Sequence, residues 1–258
     1  MQGSDTAVVT GGGRGIGRAI CEELARQGLD IVVADIDTEG MTETVESVES
    51  LEQDALGVET DVADIDSVRD CADQALARFG TVEVLVNNAG IAGPTASCER
   101  VEPEEWDQTL EVNLRGGFYM CREFLPAMKD AGYGRIVNIA SVTGKKPLVN
   151  RTPYAASKMA IIGFTRTLAA EVGSHDINVN AVCPGSVDGP RIRRVFEQQA
   201  ETAGRPYHEV EQEVKAESPR GELVDKTTVA TAVAYLCSED ARQVTGQDVN
   251  VSAGKVMY

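Results

Sequence analysis

A serine, a tyrosine and a lysine, Ser141, Tyr154 and Lys158, have types and spacing that suit proton transfer. Tyr154 and Lys158 are four residues apart, so on a helix their side chains share one face. A tyrosine ionises near pH 10, too high for a base at neutral pH. An ammonium about 4 Å away contributes roughly 4 kcal/mol at an effective dielectric constant of about 20, up to about three pKa units. The pair therefore predicts a phenol that exchanges protons near neutral pH.

A Tyr-x-x-x-Lys pair also occurs by chance on ordinary amphipathic helices. Two other features favour the chemical interpretation. Ser141 follows a predicted strand, thirteen residues before Tyr154. A glycine-rich run at residues 10–17 follows the first predicted strand and opens the first predicted helix.

The glycine run has the pattern of a strand–helix turn that binds a dinucleotide. Gly11 and Gly15 permit tight turns, and Gly17 lets the helix pack closely on the sheet. The helix N-terminus offers N–H groups and a positive dipole end to a pyrophosphate. The alternative is a glycine-rich turn without a ligand, which the position in a β-α-β unit disfavours.

Asp35 ends the second predicted strand, 18 residues after Gly17. A carboxylate there can accept hydrogen bonds from both adenosine-ribose hydroxyls and would repel a 2′-phosphate. The next residue is Ile36 rather than an arginine, so the pattern favours NAD over NADP. Arg14 in the glycine run is the opposing feature, because it could contact a phosphate. Asp35 could instead be a helix cap or turn residue.

Short β-branched runs alternate with helical stretches, which predicts β-α-β units and a parallel sheet. The predicted strands are 7–10, 31–34, 57–60, 82–86, 135–139, 177–182 and 248–251. The predicted helices are 16–27, 41–53, 66–79, 103–129, 154–172 and 226–237. We therefore predict a single α/β domain over residues 1–258, a doubly wound Rossmann fold with about seven parallel strands and helices on both faces.

Residues after two further strands should lie beside the glycine run, because the carboxyl ends of parallel strands share one edge. Asp61 and Val62 follow the third predicted strand, and Asp61 could reach an adenine amino group. Asn88, Ala89 and Gly90 follow the fourth, although Asn-Asn-Ala-Gly alone indicates only a turn.

The segment 186–221 interrupts the alternation just after a predicted strand end, and it contains a charged helical run at 208–217. Ligands bind at this edge of such sheets, so we expect the segment to form a lid over a substrate.

The net charge of −17 argues against a general surface for nucleic acids or anionic membranes. This acidic, lysine-poor composition suits either concentrated salt or an acidic mesophilic protein. No apolar run could span a bilayer, and no signal peptide is expected. The six cysteines lack a Cys-x-x-Cys pair and indicate buried thiols in a reducing compartment, the cytoplasm. The two histidines, His175 and His208, have no companion ligands, so no metal site is expected.

In order along the chain, these motifs resemble those of the short-chain dehydrogenase/reductase family. They are the run 10–17, residues 87–90, Asn113 in Asn-Leu-Arg-Gly, Ser141, Tyr154 with Lys158, and Pro184-Gly185. The similarity covers essentially the whole chain. It implies an enzyme that moves a hydride between nicotinamide C4 and a carbinol or carbonyl carbon, and it implies a homotetramer with paired helix interfaces.

The resemblance also implies roles for the catalytic residues. Tyr154 would exchange a proton with the substrate oxygen, and Ser141 would hydrogen-bond that oxygen. Lys158 would favour ionised Tyr154 and hold the nicotinamide-ribose hydroxyls. Asn113 would anchor a water in a proton relay, or would serve only as a helix-interior amide.

Cofactor contacts are expected from the glycine run, the strand ends and the residues after the sixth strand. These residues are Gly11, Arg14, Gly15, Ile16, Gly17, Asp35, Asp61, Val62, Asn88, Ala89, Gly90, Tyr154, Lys158, Pro184, Gly185 and Val187. Family members often have a threonine that holds the nicotinamide carboxamide, at the position where this chain has Gly189. Backbone groups of Val187 would hold the carboxamide here.

The favoured function is an NAD-dependent dehydrogenase or reductase acting on a small hydroxy acid, sugar or polyol. An NADP-dependent 3-oxoacyl reductase would share every catalytic residue, and Asp35 argues against it. A non-catalytic dinucleotide-binding protein is the third possibility, but it would be expected to lack Ser141, Tyr154 or Lys158.

Several cations lie in segments that should surround the substrate pocket. They are Lys145, Lys146, Arg151, Arg191, Arg193 and Arg194. They could attract an anionic substrate. The favoured alternative is that they pair with acids such as Asp188 and Glu197 or lie at a subunit interface.

Overall fold

One parallel sheet forms the centre of the protein. The computed structural model describes residues 5–258, apart from the side chain of Arg191. The strands are β1 (Thr6–Thr10), β2 (Asp30–Asp35), β3 (Ala55–Glu59), β4 (Val84–Asn87), β5 (Gly134–Ile139), β6 (Ile177–Pro184) and β7 (Asp248–Val251). Their order in the sheet is β3-β2-β1-β4-β5-β6-β7, with every neighbouring pair parallel. The predicted single α/β domain with seven parallel strands is confirmed.

Helices cover both faces of the sheet. They are α1 (Gly15–Arg26), α2 (Thr38–Glu49), α3 (Ile65–Phe79), α4 (Pro103–Leu110), α5 (Gly116–Ala131), α6 (Thr152–Val172), α7 (Pro190–Ala203), α8 (Tyr207–Ala216) and α9 (Lys226–Cys237). Alternate strand residues face opposite layers. In β1, Ala7 and Val9 pack in the core cluster of α1 and α9, and Val8 packs in the cluster of α3 and α5. Burial of each such valine stabilises the fold by about 1.5–3 kcal/mol.

The direction of the chain across the sheet reverses between β1 and β4. β2 and β3 lie on one side of β1, and β4 begins the other side. The loops that follow β1 and β4 therefore diverge and leave a crevice at the carboxyl edge, where such folds bind ligands. Val9 pairs with Val86, so residues 10–17 and 87–90 follow neighbouring strand ends.

The predicted helix at 103–129 is divided into α4 and α5 by a π-helical turn, Glu111–Arg115. Such turns are rare and often mark functional sites. Gly116 follows the turn and lies against Val62, where a Cβ would be 2.8 Å from the valine Cβ. Hydrophobic periodicity does not reveal one inserted residue, so the sequence pattern predicted an uninterrupted helix.

The segment 186–221 contains two helices with a small core of their own, formed by Phe196, Ala200 and Val210. The predicted charged run is confirmed as α8. The α7 helix was not predicted, although Pro190 at its first turn and Gly204 in the left-handed region at its end are helix boundary signals.

Candidate active site

Residues 10–17 form the turn from β1 into α1. Gly11 has a positive φ of 62°, and Asn88 Nδ2 donates to the carbonyl oxygens of Thr10 (2.9 Å) and Gly11 (3.0 Å). Thr10 Oγ1 accepts hydrogen bonds from the N–H groups of Asn88 and Ala89, each at 3.0 Å. These bonds join the loops after β1 and β4 across the crevice. Sequence reasoning placed Gly11, Asn88 and Ala89 here, and it assigned no bonding role to Thr10.

The first turn of α1 has the features of an anion site. Its N-cap residue, Arg14, makes no side-chain cap hydrogen bond, and the turn contains no acidic residue. Gly15 has a φ of 60° with open space beside it. Ile16 and Gly17 complete the turn, and Gly17 lies directly against the backbone of Gly11. The backbone N–H groups and the positive end of the helix dipole fit a pyrophosphate.

Asp35 ends β2 and braces the glycine turn. Its Oδ2 accepts a hydrogen bond from the Gly13 N–H (2.8 Å), and its Oδ1 accepts one from the Asp37 N–H (3.0 Å). Asp37 caps α2 and pairs with Arg14, with 3.4 Å between guanidinium and carboxylate. Asp37 was not singled out from the sequence. Its charge offsets the cation that Arg14 would otherwise present to a 2′-phosphate, although a pair this exposed is weak.

Asp61 and Val62 follow β3 at the same edge of the sheet. The Asp61 carboxylate accepts a hydrogen bond from the Ala63 N–H (2.9 Å) and borders an open cleft of about 400 Å³. Ile36 lines the same cleft and is 68% exposed. Val62, the residue after Asp61, is buried. This cleft suits a purine ring that carries an amino group, since the apolar Ile36 side chain can pack on the ring and the Asp61 carboxylate can accept a hydrogen bond from the amino group.

Tyr154 and Lys158 lie near the start of α6, and Ser141 follows the end of β5. Lys158 is buried, and its Nζ donates to the Ile139 carbonyl oxygen at 2.8 Å and lies 5.7 Å from the centre of the Tyr154 ring. Gly144, three residues after Ser141, packs on the backbone of α6, where a Cβ would lie 2.8 Å from the Lys158 carbonyl carbon. These contacts bring the Ser141 segment and the Tyr154 helix together.

Asn113 lies in the π-helical turn and is buried. Its Oδ1 accepts a hydrogen bond from the Ile91 N–H (2.7 Å), and its Nδ2 donates to the Ile91 carbonyl (3.0 Å) and to Ser157 Oγ (3.1 Å). A Cβ on Gly90 would lie 3.0 Å from Asn113 Oδ1 and 3.7 Å from Lys158 Nζ. Asn113, Gly90 and Lys158 are therefore immediate neighbours.

A family model described as short chain dehydrogenase matches residues 5–200 of the chain. The protein belongs to the short-chain dehydrogenase/reductase family. D-β-hydroxybutyrate dehydrogenase from Cupriavidus necator is 34% identical, over 99% of each chain. The crystal structure of a variant actinorhodin polyketide ketoreductase with NADPH has a TM-score of 0.95 at 36% identity, over 99% of this chain and 98% of that one. NAD⁺-bound xylitol dehydrogenase has a TM-score of 0.95 at 30% identity, over 98% and 99%.

Family membership makes the protein an oxidoreductase that binds a nicotinamide dinucleotide. The solved relatives include one complex with NAD⁺ and one with NADPH, so the likeness itself does not select between the two cofactors.

Arg151 was expected in a segment around the substrate pocket, with pairing to an acid or a place at a subunit interface as the favoured alternative. Its side chain is buried and donates to the Ala92 carbonyl at 2.6 Å. Its guanidinium carbon lies 5.2 Å from the centre of the Tyr154 ring. Two cations therefore lie near the ring of Tyr154, Arg151 at 5.2 Å and Lys158 at 5.7 Å from its centre. Arg151 precedes α6 by one residue, a signal that could have placed it near Tyr154.

Three of the six cations expected around the pocket pair with neighbouring acids. The ion pairs are Lys145–Asp248 (2.5 Å), Lys146–Glu217 (2.8 Å) and Arg193–Asp188 (3.3 Å). The Arg191 side chain lies outside the described part of the structure. The favoured alternative, pairing with acids, is therefore correct for these three cations, and they give no reason to expect an anionic substrate.

The residues after β6 run along β7 and lead into the segment 186–221. Pro184 ends β6, and the Gly185 N–H donates to the Val251 carbonyl at 2.9 Å. Val187 forms an isolated parallel bridge with Val224. This bridge joins the start of the segment 186–221 to a residue just after its end.

Five of the six cysteines are buried. Burial raises the pKa of Cys121 and Cys237 to about 12, so their thiols stay protonated. Among residues 5–258 no group of three His, Cys, Asp or Glu side chains is arranged to hold a metal ion. Within that range no helix has the length and apolar character needed to cross a bilayer.

Proposed function

We propose that the protein is an NAD-dependent enzyme that interconverts a secondary alcohol and its carbonyl in a small hydroxy acid, sugar or polyol. The observation that carries this proposal is that two cations, Arg151 and Lys158, lie 5.2 and 5.7 Å from the centre of the Tyr154 ring, near the strand end that bears Ser141. Positive charge beside the ring stabilises a phenolate, which a proton-exchanging tyrosine requires near neutral pH.

A nicotinamide dinucleotide bound in the β1–β4 crevice would supply or accept the hydride. Tyr154 gives its proton to the carbonyl oxygen in reduction and takes one from the alcohol in oxidation. Ser141 donates a hydrogen bond to the same oxygen and stabilises the developing charge. Asn113, fixed by Ile91 and Ser157, would anchor a water that returns the proton to solvent.

The described side chains fit the parts of the cofactor in order along the sheet edge. The pyrophosphate would bind the first turn of α1, the adenosine ribose Asp35, and the adenine the cleft of Ile36 and Asp61. The nicotinamide half would bind near Gly90, Lys158, Pro184, Gly185 and Val187. The Asp35 carboxylate supports NAD over NADP, because it would repel a 2′-phosphate, while Asp37 offsets the charge of Arg14.

We propose that the segment 186–221 is a lid over the substrate. Its α7 helix meets the loop that follows β4 through Thr95 Oγ1 and Gln198 Oε1, 3.3 Å apart. Its other end is tied to the loop after Ser141 by the Lys146–Glu217 pair. Both contacts are exposed and therefore weak, which suits a lid that opens for substrate exchange.

A second candidate function is an NADP-dependent 3-oxoacyl reductase. It is favoured by Arg14 beside the glycine turn and by the 36% identity to a polyketide ketoreductase solved with NADPH. The same catalytic residues would serve it, so only cofactor and substrate distinguish the two functions.

The proposal is tested by incubating the purified protein with panels of hydroxy acids, sugars and polyols and either NAD or NADP. The reduced cofactor is followed by its absorbance. A 3-oxoacyl thioester with NADH or NADPH forms the second panel. Activity on the alcohols with NAD supports the first function, and activity confined to the thioester with NADPH supports the second.

We also propose a cytoplasmic location. Six free thiols, five of them buried, are typical of a chain that works in a reducing compartment.

We expect the wild-type enzyme to use NAD with higher kcat/KM than NADP. Asp35→Asn should lower kcat/KM for NAD by about 10- to 100-fold, because hydrogen bonds to a charged acceptor contribute about 1.5–3 kcal/mol each. Kinetics with both cofactors measure this. The asparagine keeps one acceptor oxygen, so Gly13 or Asp37 retains a partner. Asp35→Ala would loosen the glycine turn as well as remove the charge.

Glu39→Gln is the matched control for that prediction. It removes one nearby, exposed carboxylate in the first turn of α2 and leaves Asp35 in place. It should change the NADP-to-NAD efficiency ratio by less than about threefold, as expected for a screened surface charge. Wild-type efficiency with NADP equal to or above that with NAD would refute the cofactor assignment.

We propose that four copies assemble through α5 and α6. Phe118 on α5 and Met159 on α6 are 46% and 53% exposed, and association of like copies through these two helices would bury both side chains. Sedimentation equilibrium should give four chain masses at physiological and at high salt. Phe118→Asp with Met159→Asp should dissociate the assembly, and Asp substitution of exposed Tyr235 on α9 serves as the comparison. A wild-type monomer would contradict the proposal.

A further inference from the structure

Lys145 follows the short turn after Ser141, and its ammonium group is bound by residues of β7. The side chain is 8% exposed. Its Nζ donates to Asp248 Oδ2 (2.5 Å), to the Asp248 carbonyl oxygen (3.0 Å) and to Asn250 Oδ1 (2.7 Å). An ammonium has three protons, and these three acceptors satisfy all of them. Lys145 therefore fastens the turn to β7.

Asp248 has a second partner on a different element. Its Oδ1 accepts a hydrogen bond at 2.6 Å from Arg166, which belongs to α6, the helix that carries Tyr154. Burial raises the pKa of Asp248, but the hydrogen bonds and charges of Lys145 and Arg166 outweigh burial and lower it overall. The carboxylate stays ionised and joins the turn after Ser141 to α6.

The turn is too short to absorb a movement of Lys145. Only Val142–Gly144 lies between Ser141 and Lys145. Ser141 Oγ accepts a hydrogen bond from the Thr143 N–H (3.1 Å), and the Lys145 N–H donates to the Val142 carbonyl (3.0 Å). A displacement of Lys145 from β7 would therefore move Ser141 as well.

We propose that Asp248 is a positioning residue that, through Lys145 and Arg166, sets the distance between the Ser141 and Tyr154 hydroxyls. The inference rests on the proposed function, in which both hydroxyls hold one substrate oxygen. Asp248 itself touches neither substrate nor cofactor in this role. Without this bridge of Lys145, Asp248 and Arg166, the turn shifts against α6 and the two hydroxyls no longer converge on that oxygen. Most of the proposed cofactor contacts lie at the ends of β1 to β4, so NAD binding should change little.

The test is a mutant cycle with Lys145→Met, which keeps the length of the side chain and removes its charge. In the wild-type background, kcat should fall about tenfold or more, with KM for NAD changed less than about twofold. In the Ser141→Ala background, the same substitution should lower kcat less than about threefold further, because its effect acts through Ser141. The shift in Tm should be equal in both backgrounds. Asp248→Asn should give the same pattern and serves if Lys145→Met does not fold.

Lys146→Met is the matched control, since it removes one positive charge from the adjacent residue, which pairs with the lid. Any effect on kcat should be the same factor in both backgrounds. A loss from Lys145→Met that is equally large in both backgrounds would show a general structural effect and overturn the proposal. An unchanged kcat in Lys145→Met would do the same.

Hydrogen exchange tests the bridge of Lys145, Asp248 and Arg166 independently of the proposed function. Amides at 139–147 should exchange faster in Lys145→Met than in the wild type, whatever the enzyme catalyses. Unchanged exchange overturns the bridge. Faster exchange in an enzyme whose activity is insensitive to Ser141→Ala would leave the bridge standing and refute the proposed role of Ser141.

Discussion

Tyr154→Phe is expected to lower kcat by about 10²- to 10⁴-fold, the range that a positioned general acid–base contributes. The substitution removes one oxygen and keeps the ring that Lys158 and Arg151 contact, so the fold and the cofactor crevice stay intact. The Kd for NAD should therefore change less than about threefold, because the pyrophosphate and adenosine contacts are untouched. Steady-state kinetics and NAD titration by calorimetry measure the two quantities on the same protein.

Tyr235→Phe is the comparison for this prediction, because Tyr235 is half exposed on α9, on the far side of the molecule from α6. It should retain wild-type kcat. Activity of Tyr154→Phe above about a tenth of wild type would mean that another group transfers the proton. A large loss of NAD affinity would instead mean that the tyrosine mainly holds cofactor.

The strands and most helices could be predicted from the sequence, because the spacing of their apolar residues indicates which residues are buried. β1 and β2 are continuous apolar runs, as expected when helices cover both faces of a parallel sheet. The glycine run, Asp35 and Ser141 were assigned to the carboxyl edge for the same reason, since each follows a predicted strand. Topology alone then brings such residues together, and the structure places them at that edge.

The contacts that refine the site connect residues distant in the sequence, and patterning does not predict them. Lys145 lies more than one hundred positions from Asp248, and both are ordinary surface residue types in the sequence. The burial of Arg151 was not predicted for a related reason, because a cation in a loop is usually solvated, whereas this one reaches the Ala92 carbonyl and the Tyr154 ring. The π-helical turn around Asn113 is held by two bonds to Ile91 across 22 positions.

Gly17→Ala is expected to abolish NAD binding and to lower the stability of the protein by about 1–3 kcal/mol or more, as overpacking does. A Cβ at Gly17 would overlap the Gly11 carbonyl oxygen and lie 2.6 Å from Asn88 Nδ2 and 2.8 Å from the Gly11 carbonyl carbon. These atoms belong to the backbone and to a hydrogen-bonded amide, so they cannot move aside as a flexible side chain would. The start of α1 must shift away from β1.

The shift would matter for NAD because the pyrophosphate is proposed to bind the N–H groups of that same helical turn. Thermal unfolding without cofactor measures the loss of stability, and calorimetric titration measures NAD affinity. Gly173→Ala is the control, since Gly173 has ordinary helical dihedrals, a φ of −58°, and no atom within 4 Å of a Cβ. It should leave NAD affinity unchanged and Tm equal or slightly higher, because alanine restricts the unfolded chain. A Gly17→Ala protein with wild-type Tm and Kd would show that α1 does not approach β1 as closely as the structure indicates.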